Sequence, residues 1–213
     1  MLNIKFADGK QISVEAGTTV YDAAAAAEAI SREVLAATVN GELVGLTTPL
    51  TADSEVKLHT FEDKEGKKVF RHTASHILAQ AVKRLYPEVK LTIGPAVDDG
   101  FYYDFDSDLP FDTAMLTAIE AEMKKIVKEN LKLERFTLPR DEAKKLMEEK
   151  GEPYKVLLID RVPEGEEISF YKQGDFVDLC AGPHLFATGA VKAFKLIQCT
   201  GAYWEGNSKN KML

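Results

Sequence analysis

The sequence predicts an α+β protein, with a small roll of strands around one helix followed by a larger α/β domain whose sheet is mostly antiparallel. Three observations predict this class. Short stretches of alternating apolar and polar residues recur between turn signals, as in half-buried strands. Apolar residues at spacings of three and four mark several helices. A charged stretch at residues 61–68 separates a first part with one histidine and no cysteine from a second part with three histidines and both cysteines.

The first sixty residues predict a hairpin, a helix, a second hairpin and a last strand. Asp8-Gly9 and Asn40-Gly41 are hairpin turn signals. Thr18 or Thr19 can cap a helix that runs to about residue 30. Strands are expected near residues 2–6, 12–14, 37–44 and 55–61. Because this part has no cysteine, a single histidine and no clustered glycine loop, we interpret it as a docking module.

A helix is predicted around the motif HTASH at residues 72–76. His72 and His76 are four residues apart, so they stack on one helix face. That face lies nearly opposite the apolar stripe of the same helix. The two imidazoles should therefore point at water or into a cleft covered by another element. The stripe consists of Phe70, Ala74, Ile77, Leu78, Ala81 and Leu85.

A second motif, DLCAGPH, occupies residues 178–184. Cys180 and His184 are also four residues apart, but Gly182-Pro183 excludes a helix between them, so this pair belongs to a turn. Three of the four histidines of the chain lie in these two motifs. Three imidazoles and one thiol suit tetrahedral zinc, and they equally suit acid, base and donor roles around a hydrolysable bond.

The remaining elements alternate between strands and helices. A helix of about four turns, capped by Asp112, is expected through residues 115–127, and a shorter one at 141–150 before Gly151. Strands are expected near residues 89–93, 100–105, 134–138, 156–159, 168–171 and 191–197.

The composition restricts the class of protein. No apolar run approaches the roughly 20 residues of a membrane span, and the N-terminus has no signal-peptide pattern. Two cysteines, one of them inside a histidine motif, do not make a disulfide framework, so we expect a reducing cytoplasm and no membrane partner. With a net charge of -7, any RNA contact needs a local basic patch or a further part of the protein.

Four motifs in this order resemble a known family. HTASH at 72–76, GFYYDF at 100–105, DLCAGPH at 178–184 and GAYW at 201–204 resemble the N-terminal half of bacterial threonyl-tRNA synthetases. The resemblance implies a TGS domain of the β-grasp (ubiquitin-like) fold at residues 1–62 and an editing domain at residues 63–213. It also implies that the ATP-dependent aminoacylation core, with its own zinc, and the anticodon-binding domain belong to parts that this chain lacks.

In this family the editing domain hydrolyses mischarged seryl-tRNA(Thr) and spares threonyl-tRNA(Thr). The resemblance implies catalytic roles for His72 as lead residue, Lys155 as second polar group and His76 as its support. Lys155 is expected at a strand end. The residues expected to bind the substrate are Asp178, through the α-ammonium group, with Cys180, His184 and either Tyr103 or Tyr102. Strand alternation sends the two tyrosines to opposite faces, so only one of them can line the site.

Three readings stay open on the sequence. The first is editing without a metal, which we favour. The second is a zinc-dependent hydrolase of the alanyl-tRNA editing type, with His72, His76, Cys180 and His184 as ligands. The third is a non-catalytic module that binds or regulates tRNA through its TGS-like start.

Overall fold

The first domain is a five-stranded sheet with one helix packed against it. The computed structural model describes all 213 residues. The strands run in the order β2-β1-β5-β3-β4, and only the central pair β1–β5 is parallel. Their bounds are Leu2–Phe6 (β1), Gln11–Val14 (β2), Ala36–Val39 (β3), Glu42–Val44 (β4) and Ser54–His59 (β5), with helix α1 at Val20–Ala26. Two hairpins around one helix and a parallel central pair form the expected β-grasp fold.

Local signals explain most of this domain. The side chain of Thr19 accepts a hydrogen bond from the Asp22 amide and caps α1, as one of the two alternatives predicted. Asn40 and Gly41 both have positive φ, which is the backbone of a type I′ hairpin turn. The expected helix end near residue 30 is wrong: α1 ends at Ala26, because Glu28 takes a left-handed conformation at φ 54°.

The second domain is built around helix α2, Lys64–Leu85, which packs against helix α3, Thr113–Glu129. Every residue from Thr73 to Val82 on α2 is buried, so the helix has no solvent-facing side in its middle. Of the two alternatives for the histidine face, the covered cleft is therefore confirmed. The predicted domain boundary at residue 62 falls between β5 and α2.

The other elements surround this helix pair. A three-stranded antiparallel sheet has the order β10-β11-β12, and two ribbons, β6–β9 and β7–β8, have strands of two residues each. Their bounds are Lys90–Leu91 (β6), Ala96–Val97 (β7), Gly100–Phe101 (β8), Phe105–Asp106 (β9), Leu133–Leu138 (β10), Ile168–Gln173 (β11) and Phe176–Leu179 (β12), with helices at Arg140–Glu149 (α4) and Pro153–Asp160 (α5). The α+β class with a mostly antiparallel sheet is confirmed. No helix of the chain combines the length and the apolar character needed to cross a membrane.

Three predicted strands are wrong. Residues 156–159 lie in α5, because Pro153 begins a helix at its first position. Lys155 is consequently on the first turn of a helix and not at a strand end. Residues 191–197 have no regular structure, and residues 100–105 form two short strands with different partners instead of one.

The two domains are in direct contact. Leu35 and Ala36 of the first domain belong to the same apolar cluster as Ile77 and Leu78 of α2. On the neighbouring hairpin, a Cβ atom at Gly45 would lie only 3.0 Å from the backbone oxygen of His184. The first domain therefore touches the backbone of the second histidine motif.

Candidate functional site

The two histidine motifs converge, although more than a hundred residues separate them. The candidate ligand atoms of His72, His76, Cys180 and His184 all lie within 4.8 Å of one another. The sulfur of Cys180 lies 3.3 Å from Nε2 of His72 and 3.3 Å from Nε2 of His184. We refer to these four residues as the histidine–cysteine cluster.

The cluster has a closed side and an open side. His76 and His184 are almost completely buried, whereas His72 and Cys180 are partly exposed. The ring of His184 stacks on His72, with centroids 4.1 Å apart, and meets His76 edge-on at 4.2 Å. A small molecule would therefore approach from the side of His72 and Cys180. A cavity of 860 Å³ between the domains is not lined by any residue of the cluster and plays no part in the site.

Burial keeps the cluster uncharged. Desolvation lowers the pKa of His76 to about 3 and the pKa of His184 well below its usual value. Desolvation also lowers the pKa of His72. The hydrogen bond from its Nδ1–H to the Pro183 oxygen, at 3.2 Å, opposes this effect and raises the pKa, but desolvation is the larger of the two. Burial raises the pKa of the Cys180 thiol to about 12. At neutral pH the cluster offers three neutral imidazoles and a thiol.

A buried ion pair lies directly behind His76. Nζ of Lys155 is 2.7 Å from Oδ1 of Asp178, and the Tyr103 hydroxyl donates to Oδ2 of Asp178 at 2.7 Å. Nε2 of His76 is 3.8 Å from the same carboxylate. Burial alone would raise the pKa of Asp178, but the Lys155 ammonium and the hydrogen bonds from Lys155 and Tyr103 hold it below its usual value.

The loop that carries Cys180 and His184 is shaped by a close contact. It follows strand β12, whose Asp178 pairs with Tyr171 on β11. Gly182 has φ 77°, and a Cβ atom there would lie 2.3 Å from the Tyr171 hydroxyl. The Tyr171 ring also meets the His184 ring edge-on at 4.5 Å. Glycine is therefore required at residue 182 for two reasons: the positive φ is unfavourable for other residues, and any Cβ atom would collide with Tyr171.

The structure brings together all but one of the predicted site residues. Tyr103 reaches Asp178, whereas Tyr102 is 42% exposed and its hydroxyl makes no hydrogen bond. Lys155 and Asp178 are 3% and 1% exposed, so in this structure each neutralises the other and neither faces solvent. The carboxylate predicted to bind the α-ammonium group is thus already paired with Lys155 and Tyr103 in this structure.

Sequence reasoning missed several polar residues around the cluster. The Thr73 hydroxyl lies 3.0 Å from Nδ1 of His184, and the Gln80 and Gln173 side chains bond each other at 2.8 Å. The Gln173 side chain also donates to the His76 carbonyl at 3.4 Å. The sequence does show Thr73 and Gln80 as polar residues on the helix that carries the apolar stripe, and the structure buries both of them.

The donor set of the cluster fits a metal ion. Nδ1 of His76 is buried and has no hydrogen-bond partner, so a coordination bond would satisfy it. Two further imidazoles and a thiol within 4.8 Å complete a set of four ligands of the types that zinc prefers. This His/Cys group could thus hold a metal.

Comparison with known proteins identifies two known domains in this chain. Residues 2–60 match the family model of the TGS domain, and residues 168–213 match the threonyl and alanyl tRNA synthetase second additional domain. The chain thus joins a TGS domain to a domain that threonyl- and alanyl-tRNA synthetases share.

More particularly, the chain is similar along its whole length to bacterial threonine–tRNA ligases. It is 60% identical to that of Clostridium tetani over 214 aligned positions, which cover 100% of this chain and 34% of the relative. It is 59% identical to those of Caldanaerobacter subterraneus (99% of this chain, 33% of the relative) and Acetivibrio thermocellus (100% and 34%). The resemblance to the N-terminal part of threonyl-tRNA synthetases is confirmed, and the chain spans about a third of the length of these relatives.

Proposed function

We propose that the histidine–cysteine cluster hydrolyses the ester that joins serine to tRNA(Thr), and spares threonyl-tRNA(Thr). The observation that carries this proposal is the convergence of two distant motifs into one partly open cluster, on a chain 60% identical to part of a threonine–tRNA ligase. In the proposed setting, the rest of the enzyme attaches threonine to tRNA(Thr) with ATP in the cytoplasm.

Such a ligase needs a second site for a physical reason. Serine lacks only the methyl group of threonine, and a pocket rejects a ligand smaller by one methyl group by only about 1–3 kcal/mol. A separate hydrolytic site can admit serine and exclude threonine by a clash with that methyl group. His72 and Cys180 are the partly exposed members of the cluster, so the serine side chain would be recognised beside them.

We assign the proton transfers to His72. It is neutral and partly exposed, and its Nδ1–H is held by the Pro183 oxygen, so Nε2 is the basic nitrogen. Water attacks the ester carbon while its proton passes to Nε2 of His72. The bond to the ribose oxygen then breaks, and the same proton passes from His72 to that oxygen. Free serine and uncharged tRNA result.

For the other residues we propose the roles that the resemblance implies. Lys155 stabilises the negative charge that develops on the carbonyl oxygen, and His76 supports His72. Cys180, His184 and Tyr103 line the serine pocket. Asp178 binds the α-ammonium group. Lys155 and Asp178 both have to become accessible for these roles, because their charged groups are buried against each other.

The direct test measures deacylation of seryl- and threonyl-tRNA(Thr) by the chain and by His72→Ala. We expect hydrolysis of the seryl ester only, reduced about 100-fold or more in the variant, as for loss of a general base. Turnover should be slow even in the unchanged chain, because a net charge of -7 disfavours RNA binding. Retained tRNA affinity with no hydrolysis above the variant would instead support a non-catalytic tRNA-binding module.

A zinc-dependent hydrolase is the second candidate, favoured by the unpartnered Nδ1 of His76 and the four-ligand set. Zinc would be held by His72, His76, Cys180 and His184 and would supply an acidic water and a Lewis acid. We propose the metal-free reaction, following the resemblance to the threonyl branch.

Metal analysis of protein purified without chelator separates these two candidates. Cys180→Ser should leave metal content at zero under our proposal, as should the matched control Cys199→Ser at an exposed cysteine. Zinc at one ion per chain, lost in Cys180→Ser and kept in Cys199→Ser, together with activity abolished by chelator, would overturn the metal-free reaction.

A further inference from the structure

Thr73 occupies a position that neither the motif nor the proposed chemistry explains. It lies between the two histidines on helix α2 and is completely buried. A buried hydroxyl needs partners, and Thr73 finds both on the distant loop. The Leu185 amide donates to Oγ1 at 3.0 Å, and Nδ1 of His184 lies 3.0 Å from the same oxygen.

These two contacts fix the direction of the hydrogen bonds. The Leu185 amide can only donate, so the hydroxyl oxygen accepts there. The hydroxyl has one hydrogen of its own and no other acceptor than Nδ1 of His184 within hydrogen-bond distance. A proton on Nδ1 would leave the hydroxyl hydrogen buried without an acceptor, which costs stability. The hydroxyl therefore donates to Nδ1, and the ring proton of His184 is on Nε2.

The donors and acceptors of the other hydrogen bonds in the cluster follow from this assignment. Nε2–H of His184 faces the Cys180 sulfur at 3.3 Å, and the Gly182 amide donates to the same sulfur at 3.2 Å. Without substrate, the thiol hydrogen then has Nε2 of His72 as its acceptor, at 3.3 Å, and the attacking water has to take this place before Nε2 can accept its proton. His72 in turn donates from Nδ1 to the Pro183 oxygen. Once the Thr73 hydroxyl is set, the hydrogens of His184 and Cys180 each have a single arrangement, and the Pro183 oxygen independently keeps the His72 proton on Nδ1.

We propose that Thr73 is a positioning residue which selects the Nε2–H tautomer of His184 and, through Cys180, orients His72 for proton transfer. The effect of Thr73 on catalysis rests on the proposed function, whereas its effect on the His184 tautomer does not. Thr73 touches no substrate in this account. It acts on His72 only through the hydrogen bonds of His184 and Cys180.

Ring-nitrogen NMR of the labelled chain tests the structural part directly, because the protein has only four histidines. We expect the His184 proton on Nε2 in the unchanged chain and in Thr73→Ser, which keeps the hydroxyl. Thr73→Val keeps the shape and removes the hydroxyl, so a single Nε2–H form should give way to a mixture. Ser75→Ala is the matched control, since its hydroxyl binds the His72 and Gly94 carbonyls of the backbone and not a ring.

Seryl-tRNA deacylation tests the catalytic part. We expect Thr73→Val to lower kcat about tenfold, the effect of one lost hydrogen bond, with KM unchanged within about twofold. Thr73→Ser should restore kcat. A proton on Nδ1 of His184 in the unchanged chain overturns the proposal even if Thr73→Val does not fold. Correct tautomers without any deacylation would overturn the proposed function and leave the structural assignment intact.

Discussion

The ammonium group of Lys155 lies 2.7 Å from the carboxylate of Asp178, and both side chains are almost completely buried. Helix α5 is thereby joined to strand β12 at the back of the histidine–cysteine cluster. Two charges in a dry interior are stable only together, because each alone would keep a large desolvation cost. The pair is thus expected to be important for the fold as well as for the site.

Removing either partner should therefore destabilise the protein strongly. We expect Lys155→Met or Asp178→Asn to lower the free energy of unfolding by about 3–5 kcal/mol, measured by urea denaturation. The double variant should lose much less than the sum, because no unpaired charge remains. Lys145→Met is the control, since Lys145 and Glu149 form an exposed pair at 4.0 Å, and it should cost less than about 0.5 kcal/mol. Additive losses in the double variant would contradict this coupling.

Glu120 on helix α3 should give the protein a stability that depends on pH. Hydrogen bonds from Lys124 and Lys195, with a further one from the Leu196 amide, lower the pKa of Glu120 from 4.5 to about 2. A lowered pKa in the folded state contributes stability above the unfolded value. That contribution is lost as the pH falls from about 4.5 toward 2.

We expect Glu120→Gln to cost about 1 kcal/mol at pH 7 and almost nothing at pH 2, because both lysines are largely exposed and solvent screens them. Urea unfolding at several pH values between 2 and 7 measures the difference. Glu148→Gln changes an exposed glutamate without an ion pair and should leave the pH profile unaltered. A Glu120→Gln profile parallel to that of the unchanged chain would refute the prediction.

Gly182→Ala should disrupt the loop of the second motif. The alanine would have an unfavourable positive φ and a Cβ atom 2.3 Å from the Tyr171 hydroxyl. Gly165→Ala separates the two effects, because Gly165 also has positive φ but an alanine methyl group there would meet no atom within 4 Å. We expect about 1 kcal/mol for Gly165→Ala, and at least about 2 kcal/mol plus loss of deacylation for Gly182→Ala. Equal effects in the two variants would mean that the Tyr171 contact is unimportant.

The two cysteines should differ in reactivity toward an alkylating reagent. Cys199 is exposed, whereas Cys180 is partly buried and burial raises its pKa to about 12, so very little thiolate forms at pH 8. We expect iodoacetamide to modify Cys199 at least about tenfold faster than Cys180, as followed by peptide mass spectrometry. Urea should remove the difference. Faster modification of Cys180 in the folded protein would indicate a stabilised thiolate in the cluster.

The sequence was sufficient to predict the elements whose structure is decided by neighbouring residues. The Asn40-Gly41 turn, the Thr19 cap and the Asp112 cap, which accepts from the Met115 amide, each depend on residues within a few positions. Turn and cap signals of this kind do not depend on the rest of the fold. The two histidine motifs were also recognisable by their spacing and their order.

The structure of residues that depend on distant partners was harder to predict from the sequence. Residues 156–159 are apolar enough for a strand, and only Pro153 and packing against α4 favour the helix. Residues 191–197 look like a strand, yet the Leu196 amide bonds the Glu120 side chain instead of a neighbouring strand. The pairing of Lys155 with Asp178 could not be predicted once Lys155 was placed at a strand end, because a lysine there would face solvent.

The close approach of Gly45 to the His184 peptide has a mechanical consequence. Because the backbone of the small domain lies against the loop at residues 180–184, any movement of that domain away from the loop would remove this contact. The same loop carries His184, whose ring centroid is 4.1 Å and 4.2 Å from those of its two neighbours in the cluster. The first domain contributes no residue to the cluster, yet its position is expected to influence how firmly the loop with His184 is held.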